Sequence, residues 1–291
     1  MKIGIIGVGL MGHGIASNLL KHGHALRLMN HPGNQPVDDL LAAGAEAVDS
    51  GADVARGADV VIVCVTGAPE VKDVLFREDG VLAGLKPGEI VIDCSTSIPS
   101  VTRDIAARVA DRGGHFIDAA MTRTPKEAAE GRLNLIVGAP SALFERVLPL
   151  LKCFAENVTH AGDVGTGHQL KLIHNFVSLG FAGVLAEAAA CARSAGIAPE
   201  ALVEVLASGG GGGVVFERLR PFIQSDDPSG FRFTIANALK DLTYYTTMVE
   251  QMGAASAAAA AIQGLYGAAA AHGHGARTVP ELIAILGNRG E

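Results

Sequence analysis

The chain is expected to be an α/β protein, with an N-terminal doubly wound sheet followed by an all-α C-terminal domain. Three observations predict this. A short apolar strand runs directly into Gly7-Val8-Gly9-Leu10-Met11-Gly12 and an amphipathic helix. Apolar runs of strand length alternate with helical stretches as far as His160. From about Gly165 the strand signals stop and helical patterns continue to the end.

The elements follow in order. Ile3 to Gly7 is the first strand, Met11 to Lys21 the first helix and Ala25 to Met29 the second strand, which closes a βαβ unit. Further strands are expected at Val60 to Val65, Ile90 to Cys94 and His115 to Asp118, and the alternation implies that they run parallel. Leu133 to Val137 and Val158 to His160 read as two more, joined by a helix from Ser141 to Leu151. The boundary falls near Gly162 to Gly167, dividing the chain into 1–164 and 165–291. His168 to Ser194 has only Gly180 and Gly183 as breakers, and as a helix it is about 27 residues and roughly 40 Å long. Gly209 to Gly213 cannot extend a helix cheaply and mark a loop between Ser208 and Phe216, either a spacer or a backbone-exposing wall of a site.

Length and composition narrow the function. The 291 residues suffice for two domains with separate cores. The 23 basic and 30 acidic residues give a net charge of −7, without basic runs, which disfavours nucleic acid and membrane surfaces as partners and favours a small molecule. Cys64, Cys94, Cys153 and Cys191 lie far apart, as reduced thiols do in cytosol. His22/His24 and His272/His274 are close pairs without further ligands at metal spacing, so no metal site is expected. Gly253 to Ala271 is bland but alanine-rich and interrupted, which fits a packed soluble helix. No leader precedes the first strand, and a cytoplasmic protein is expected.

The glycine turn carries the first chemistry. Gly7 permits the tight turn, Gly9 lets backbone approach a pyrophosphate, and Gly12 lets helix pack on strand, so that N–H groups at the helix start face an anion. Ser95 and Thr96 follow a strand at its carboxyl end, where ligands collect on open α/β sheets, although Ser-Thr-Ser before Pro99 is also helix-capping chemistry. At the end of the second strand, where NAD enzymes carry an acidic residue for the ribose hydroxyl, this chain has Asn30 and His31. NADP is therefore favoured, with NAD possible.

Four motifs then occur in one order: Gly7 to Gly12, Asp93-Cys94-Ser95-Thr96, Gly165-Thr166-Gly167-His168-Gln169-Leu170-Lys171-Leu172-Ile173-His174-Asn175, and Lys240-Asp241-Leu242. Together they resemble the β-hydroxyacid dehydrogenase family along essentially the whole chain. The resemblance implies a Rossmann domain, a helical second domain, an active site in the cleft between them, and a homodimer or homotetramer. It implies that Lys171 is the catalytic acid/base, accepting the hydroxyl proton in oxidation and donating it in reduction. The alternative is a surface lysine lying along an apolar helix. Asn175, four residues on, shares its helical face and is placed to orient the substrate.

Leu10, Met11, Thr66 and Thr96 join the glycines as expected cofactor contacts, and Lys240 corresponds to the family lysine that closes over the cofactor, with Phe233 near it. Core packing explains Phe233 equally well, and Lys240 has the alternative of an ordinary exposed lysine. Relatives mostly read Asp-Ala-Pro-Val-Ser-Gly-Gly where this chain reads Asp118-Ala119-Ala120-Met121-Thr122-Arg123-Thr124. Thr122, Arg123 and Thr124 are taken as substrate-binding, and Arg123-Thr124 resembles the Gly-Arg-Thr loop of sulfolactaldehyde reductases. A guanidinium there suits a strongly anionic head group, or turns outward into a surface ion pair. His174 stands where those reductases tend to have Asn. The expected activity is NADP-dependent interconversion of a short 3-hydroxy acid and its semialdehyde or ketone. Imine reductases share the fold, as do non-catalytic dinucleotide-binding interaction proteins, and both generally lack the lysine at position 171.

Overall fold

The computed structural model describes residues 1–287. The chain separates into two compact units, Met1–Lys171 and the residues from Leu172 onward.

The first unit is an eight-stranded sheet with helices on both faces. Its strands are β1 (Lys2–Ile6), β2 (Ala25–Met29), β3 (Glu46–Val48), β4 (Val60–Val63), β5 (Ile90–Asp93), β6 (His115–Thr122), β7 (Leu133–Gly138) and β8 (Ala155–Gly162). They lie in the order β3-β2-β1-β4-β5-β6-β7-β8. The helices between them are α1 (Gly12–Lys21), α2 (Asp38–Ala42), α3 (Gly51–Ala55), α4 (Ala68–Phe76), α5 (Val81–Gly84), α6 (Pro99–Ala110), α7 (Pro125–Ala129) and α8 (Ser141–Leu151). Strands β4 and β5 are buried along their whole length because helices cover both faces, which is why they read as unbroken apolar runs. Ile3, Ile5, Ile62, Ile92 and Ile117 fill one core, while Ile6, Val61, Val63, Val91 and Phe116 fill the other.

Two features go beyond the sequence reading. Strand β7 runs antiparallel to β6, although the rest of the sheet is parallel. The segment joining them holds only the five-residue α7, too short for the crossover that a parallel return needs. Strand β3 was not expected; its three residues, Glu46-Ala47-Val48, are exposed or half-buried and exist by pairing with β2.

The second unit is helical, with α9 (Thr166–Ser194) running into it from the first, then α10 (Pro199–Ser208), α11 (Val214–Ser225), α12 (Ile235–Met252), α13 (Ala257–Ala269) and α14 (Leu282–Gly287). Leu179, Ala182, Leu185, Ala186 and Ala189 recur along α9 at helical spacing and pack with Phe216, Leu219, Leu242 and Tyr266. The Tyr266 hydroxyl, fully buried, donates to the Leu179 carbonyl at 2.9 Å. The helix long and apolar enough to cross a membrane is α9 rather than the alanine-rich stretch around α13, and 56% of its most apolar window is buried inside the protein.

Candidate active site

The glycine turn divides into two glycines required by packing and one that faces open space. Gly7 has φ +90°, and a Cβ there meets the Cys64 carbonyl oxygen at 2.2 Å; at Gly12 a Cβ meets the Gly7 carbonyl oxygen at 1.9 Å. Around Gly9 nothing lies within 4 Å of that position. Helix α1 begins with no side-chain cap and no acidic residue in its first turn, so its dipole is available to an anion, while the His13 N–H donates back to the Gly9 carbonyl at 3.0 Å. Leu10 is 65% exposed beside this opening, while Met11 packs against the core. These residues fit a dinucleotide diphosphate.

Next to the turn, Asn30 and His31 are exposed at the end of β2. The Asn30 N–H donates to the Val48 carbonyl at 2.7 Å, and His31 Nδ1 accepts from the Gly33 N–H at 3.0 Å. Asn34 ties this loop to the turn: its Oδ1 accepts from the Val8 N–H at 3.1 Å and its Nδ2 donates to the Met29 carbonyl at 2.9 Å. Sequence reasoning missed Asn34, for which polar character in a loop was the sole signal. Thr66 is exposed just beyond β4.

Beyond β5, Ser95 is buried and Thr96 half-buried. The Ser95 N–H donates to Asp93 Oδ1 at 2.9 Å and its hydroxyl accepts from the Val65 N–H at 3.0 Å, so this loop is braced internally. Asp93 is fully buried; burial pushes its carboxyl up, with His168 and the Ser95 hydrogen bonds opposing. Burial also pushes the Cys64 thiol, under the glycine turn, up to about 12, with Asp93 adding to the effect.

At the end of β6, Thr122 is half-buried and Arg123 has φ +80°, the left-handed conformation that favours glycine. The Arg123 guanidinium engages the Glu156 carboxylate and the Arg132 carbonyl, the outward ion pair of the two sequence alternatives. The Thr124 N–H and hydroxyl both donate to Glu127 Oε2, at 3.0 and 2.6 Å, capping α7.

Lys171 stands on α9 with only 9% of its surface exposed. Asn175, one turn later and also buried, lies on the same side of the helix. Its Nδ2 donates to Asp241 Oδ2 at 2.6 Å, and its Oδ1 lies 2.9 Å from His174 Nδ1. Asp241 is buried on α12 and was not singled out from the sequence, although its place in Lys240-Asp241-Leu242 was the available signal. Lys240 lies 3.3 Å from Asp241 Oδ1 and 5.6 Å from the Tyr244 ring centre. Phe233 stacks on Phe231 with ring centres 6.1 Å apart. Among the described residues no cluster of three or more His, Cys, Asp or Glu has metal-holding geometry.

Residues 2–162 match the NAD binding domain of 6-phosphogluconate dehydrogenase, and residues 165–286 match the NAD-binding domain of NADP-dependent 3-hydroxyisobutyrate dehydrogenase. The chain is 33% identical over 234 residues to a 2-(hydroxymethyl)glutarate dehydrogenase of Eubacterium barkeri, covering 79% of this chain and 76% of the relative. It is 34% identical over 221 residues to an NAD-dependent L-serine dehydrogenase of Pseudomonas aeruginosa, covering 76% and 74%. The crystal structure of a 3-hydroxyisobutyrate dehydrogenase from Salmonella typhimurium superposes with a TM-score of 0.85 at 28% identity, covering 98% of this chain and 99% of the other.

Proposed function

This chain belongs to the β-hydroxyacid dehydrogenase family, and on that premise we propose that it is an NADP-dependent enzyme that interconverts a short 3-hydroxy acid, or a similar anionic hydroxy compound, with its semialdehyde or ketone. The observation that carries the reading is Lys171, an amine buried on an apolar helix with Asn175 one turn away. A buried lysine needs a reason to be there, and proton transfer to a substrate oxygen is one.

When bound, the nicotinamide takes a hydride from the carbinol carbon in oxidation and returns it in reduction. Lys171 Nζ, as the neutral amine, accepts the hydroxyl proton in oxidation; as the ammonium it donates that proton in reduction. Asn175, held by Asp241, orients the reacting oxygen or the carboxylate. Ser95 and the Thr122-Arg123-Thr124 loop receive the anionic head, with Arg123 exchanging Glu156 for the substrate. Gly9 and the start of α1 hold the diphosphate and Thr66 and Thr96 flank it, with Lys240 and Phe233 as further cofactor-binding residues.

The NADP preference rests on Asn30 and His31, since no carboxylate stands at the end of β2 to repel a 2′-phosphate. The same reading makes the protein a cytoplasmic homo-oligomer. The test is a panel of short 3-hydroxy carboxylates, sulfonates and phosphonates with each oxidised nicotinamide, following absorbance of the reduced ring. Turnover of at least one anionic hydroxy compound, faster with NADP, is expected. No turnover across the panel refutes the proposal.

A further inference from the structure

We infer that Asp118 and His168 form a buried polar brace that sets the position of Lys171, making them positioning residues for proton transfer. The inference rests on Lys171 being the acid/base. Asp118, midway along β6, is the register partner of Asp93 at the carboxyl end of β5, and both side chains are fully buried. The Asp118 carboxylate accepts two N–H groups from the start of α9: Gly165 to Oδ1 and His168 to Oδ2, each at 2.7 Å. The helix is therefore capped by a side chain 47 to 50 residues earlier in the chain rather than by its own N-terminal neighbour. Two glycines make room for it. A Cβ on Gly138 meets Asp118 Oδ1 at 2.5 Å, and one on Gly167 meets Oδ2 at 2.8 Å.

The His168 ring, with no exposed surface, closes the second half of the brace. Its Nδ1 lies 2.7 Å from Thr102 Oγ1 on α6, and its Nε2 lies 3.1 Å from the Ser95 carbonyl beyond β5. Asp93 Oδ2 makes no hydrogen bond and lies 3.9 Å from the same Nε2. The end of β5, the middle of β6 and helix α6 thus converge on the residue one helical turn before Lys171. A fully buried set of charged and polar groups fixes this turn in both translation and rotation. The Ser95–Thr96 shelf and the Lys171 amine consequently share one frame.

A misplacement of about 1 Å at a proton-transfer group is enough to cost about 100-fold in rate. Thr102→Val keeps the side-chain shape and removes the Nδ1 partner, and His168→Gln keeps a donor within reach of the Ser95 carbonyl. Both are expected to lower kcat by about 10- to 100-fold while leaving NADPH affinity within about twofold. The primary deuterium isotope effect with substrate labelled at the carbinol carbon should rise, because the chemical step becomes slower than product release. In Asp118→Asn, hydrogen exchange at the Gly165 and His168 amides should speed up while the middle of α9 stays protected.

Folded Thr102→Val and His168→Gln enzymes with wild-type kcat overturn the brace, as does a fall in kcat matched by an equal fall in NADPH affinity. Unchanged amide protection in Asp118→Asn overturns the cap. Lys171→Ala, run alongside, separates the premises. If it retains turnover, the acid/base reading fails; if it loses turnover while the brace variants do not, the brace alone fails.

Discussion

Replacing Gly9 with alanine separates a glycine kept for a ligand from one kept for the fold. Around Gly9 no atom lies within 4 Å of the added Cβ, and its φ lies outside the left-handed region, so the apoprotein accommodates the methyl group. Stability should stay level or rise by about 0.4–1 kcal/mol through the less flexible unfolded chain. That corresponds to an upward Tm shift of about 1–4 °C. The methyl then occupies the space through which a diphosphate approaches the start of α1. Loss of one charge-assisted hydrogen bond costs about 1.5–3 kcal/mol, or about 10- to 150-fold in affinity. In Gly12→Ala the Cβ overlaps the Gly7 carbonyl oxygen at 1.9 Å, and the strain lowers stability by about 1–3 kcal/mol or more. Thermal unfolding and fluorescence titration with NADPH give both quantities on the same samples. A Gly9→Ala protein that binds both reduced nicotinamides with wild-type affinity refutes the assignment of the turn as the diphosphate seat.

Further outcomes follow from the surrounding residues. NADPH should bind more tightly than NADH in direct titration, because Asn30 and His31 present no carboxylate to a 2′-phosphate; tighter NADH binding reverses that conclusion. Arg123→Ala should raise KM for an anionic substrate about tenfold, the worth of one charge-assisted hydrogen bond, with little change in kcat. An unchanged KM leaves Arg123 with Glu156 and outside the site. The Thr124 hydroxyl holds the Glu127 carboxyl below its ordinary value, so the stabilisation is complete above the unfolded value, about 4.3, and is lost as pH falls through the folded one. The Tm curves of wild type and Glu127→Gln should therefore converge on acidification and separate near neutrality; parallel curves count against this.

Local patterns carried most of the fold. The glycine turn, its strand and its helix lie within the first 21 residues, and the apolar β4 and β5 announce themselves because both faces are buried. The antiparallel β7 depended on counting the residues left for a crossover, and β3 has too few apolar residues to stand out in sequence. The site divides in the same way. Lys171 and Asn175 lie in one motif, at a spacing that puts them on one helical face. The Asp118 contacts to α9 span 47 and 50 residues and depend on the register between β5 and β6, which no local pattern encodes. Sequence left Arg123 between a substrate contact and an ion pair because a side chain at φ +80° is aimed by its backbone, not by its residue type.

The acid/base assignment is tested most directly by kcat/KM of Lys171→Ala on a hydroxy acid that the wild-type protein oxidises, with NADPH affinity measured on the same preparation. Removing a general acid/base costs about 100- to 10,000-fold, so a loss of that size with nearly unchanged cofactor binding is the expected result. A folded Lys171→Ala enzyme within about tenfold of wild type, well short of that range, contradicts it.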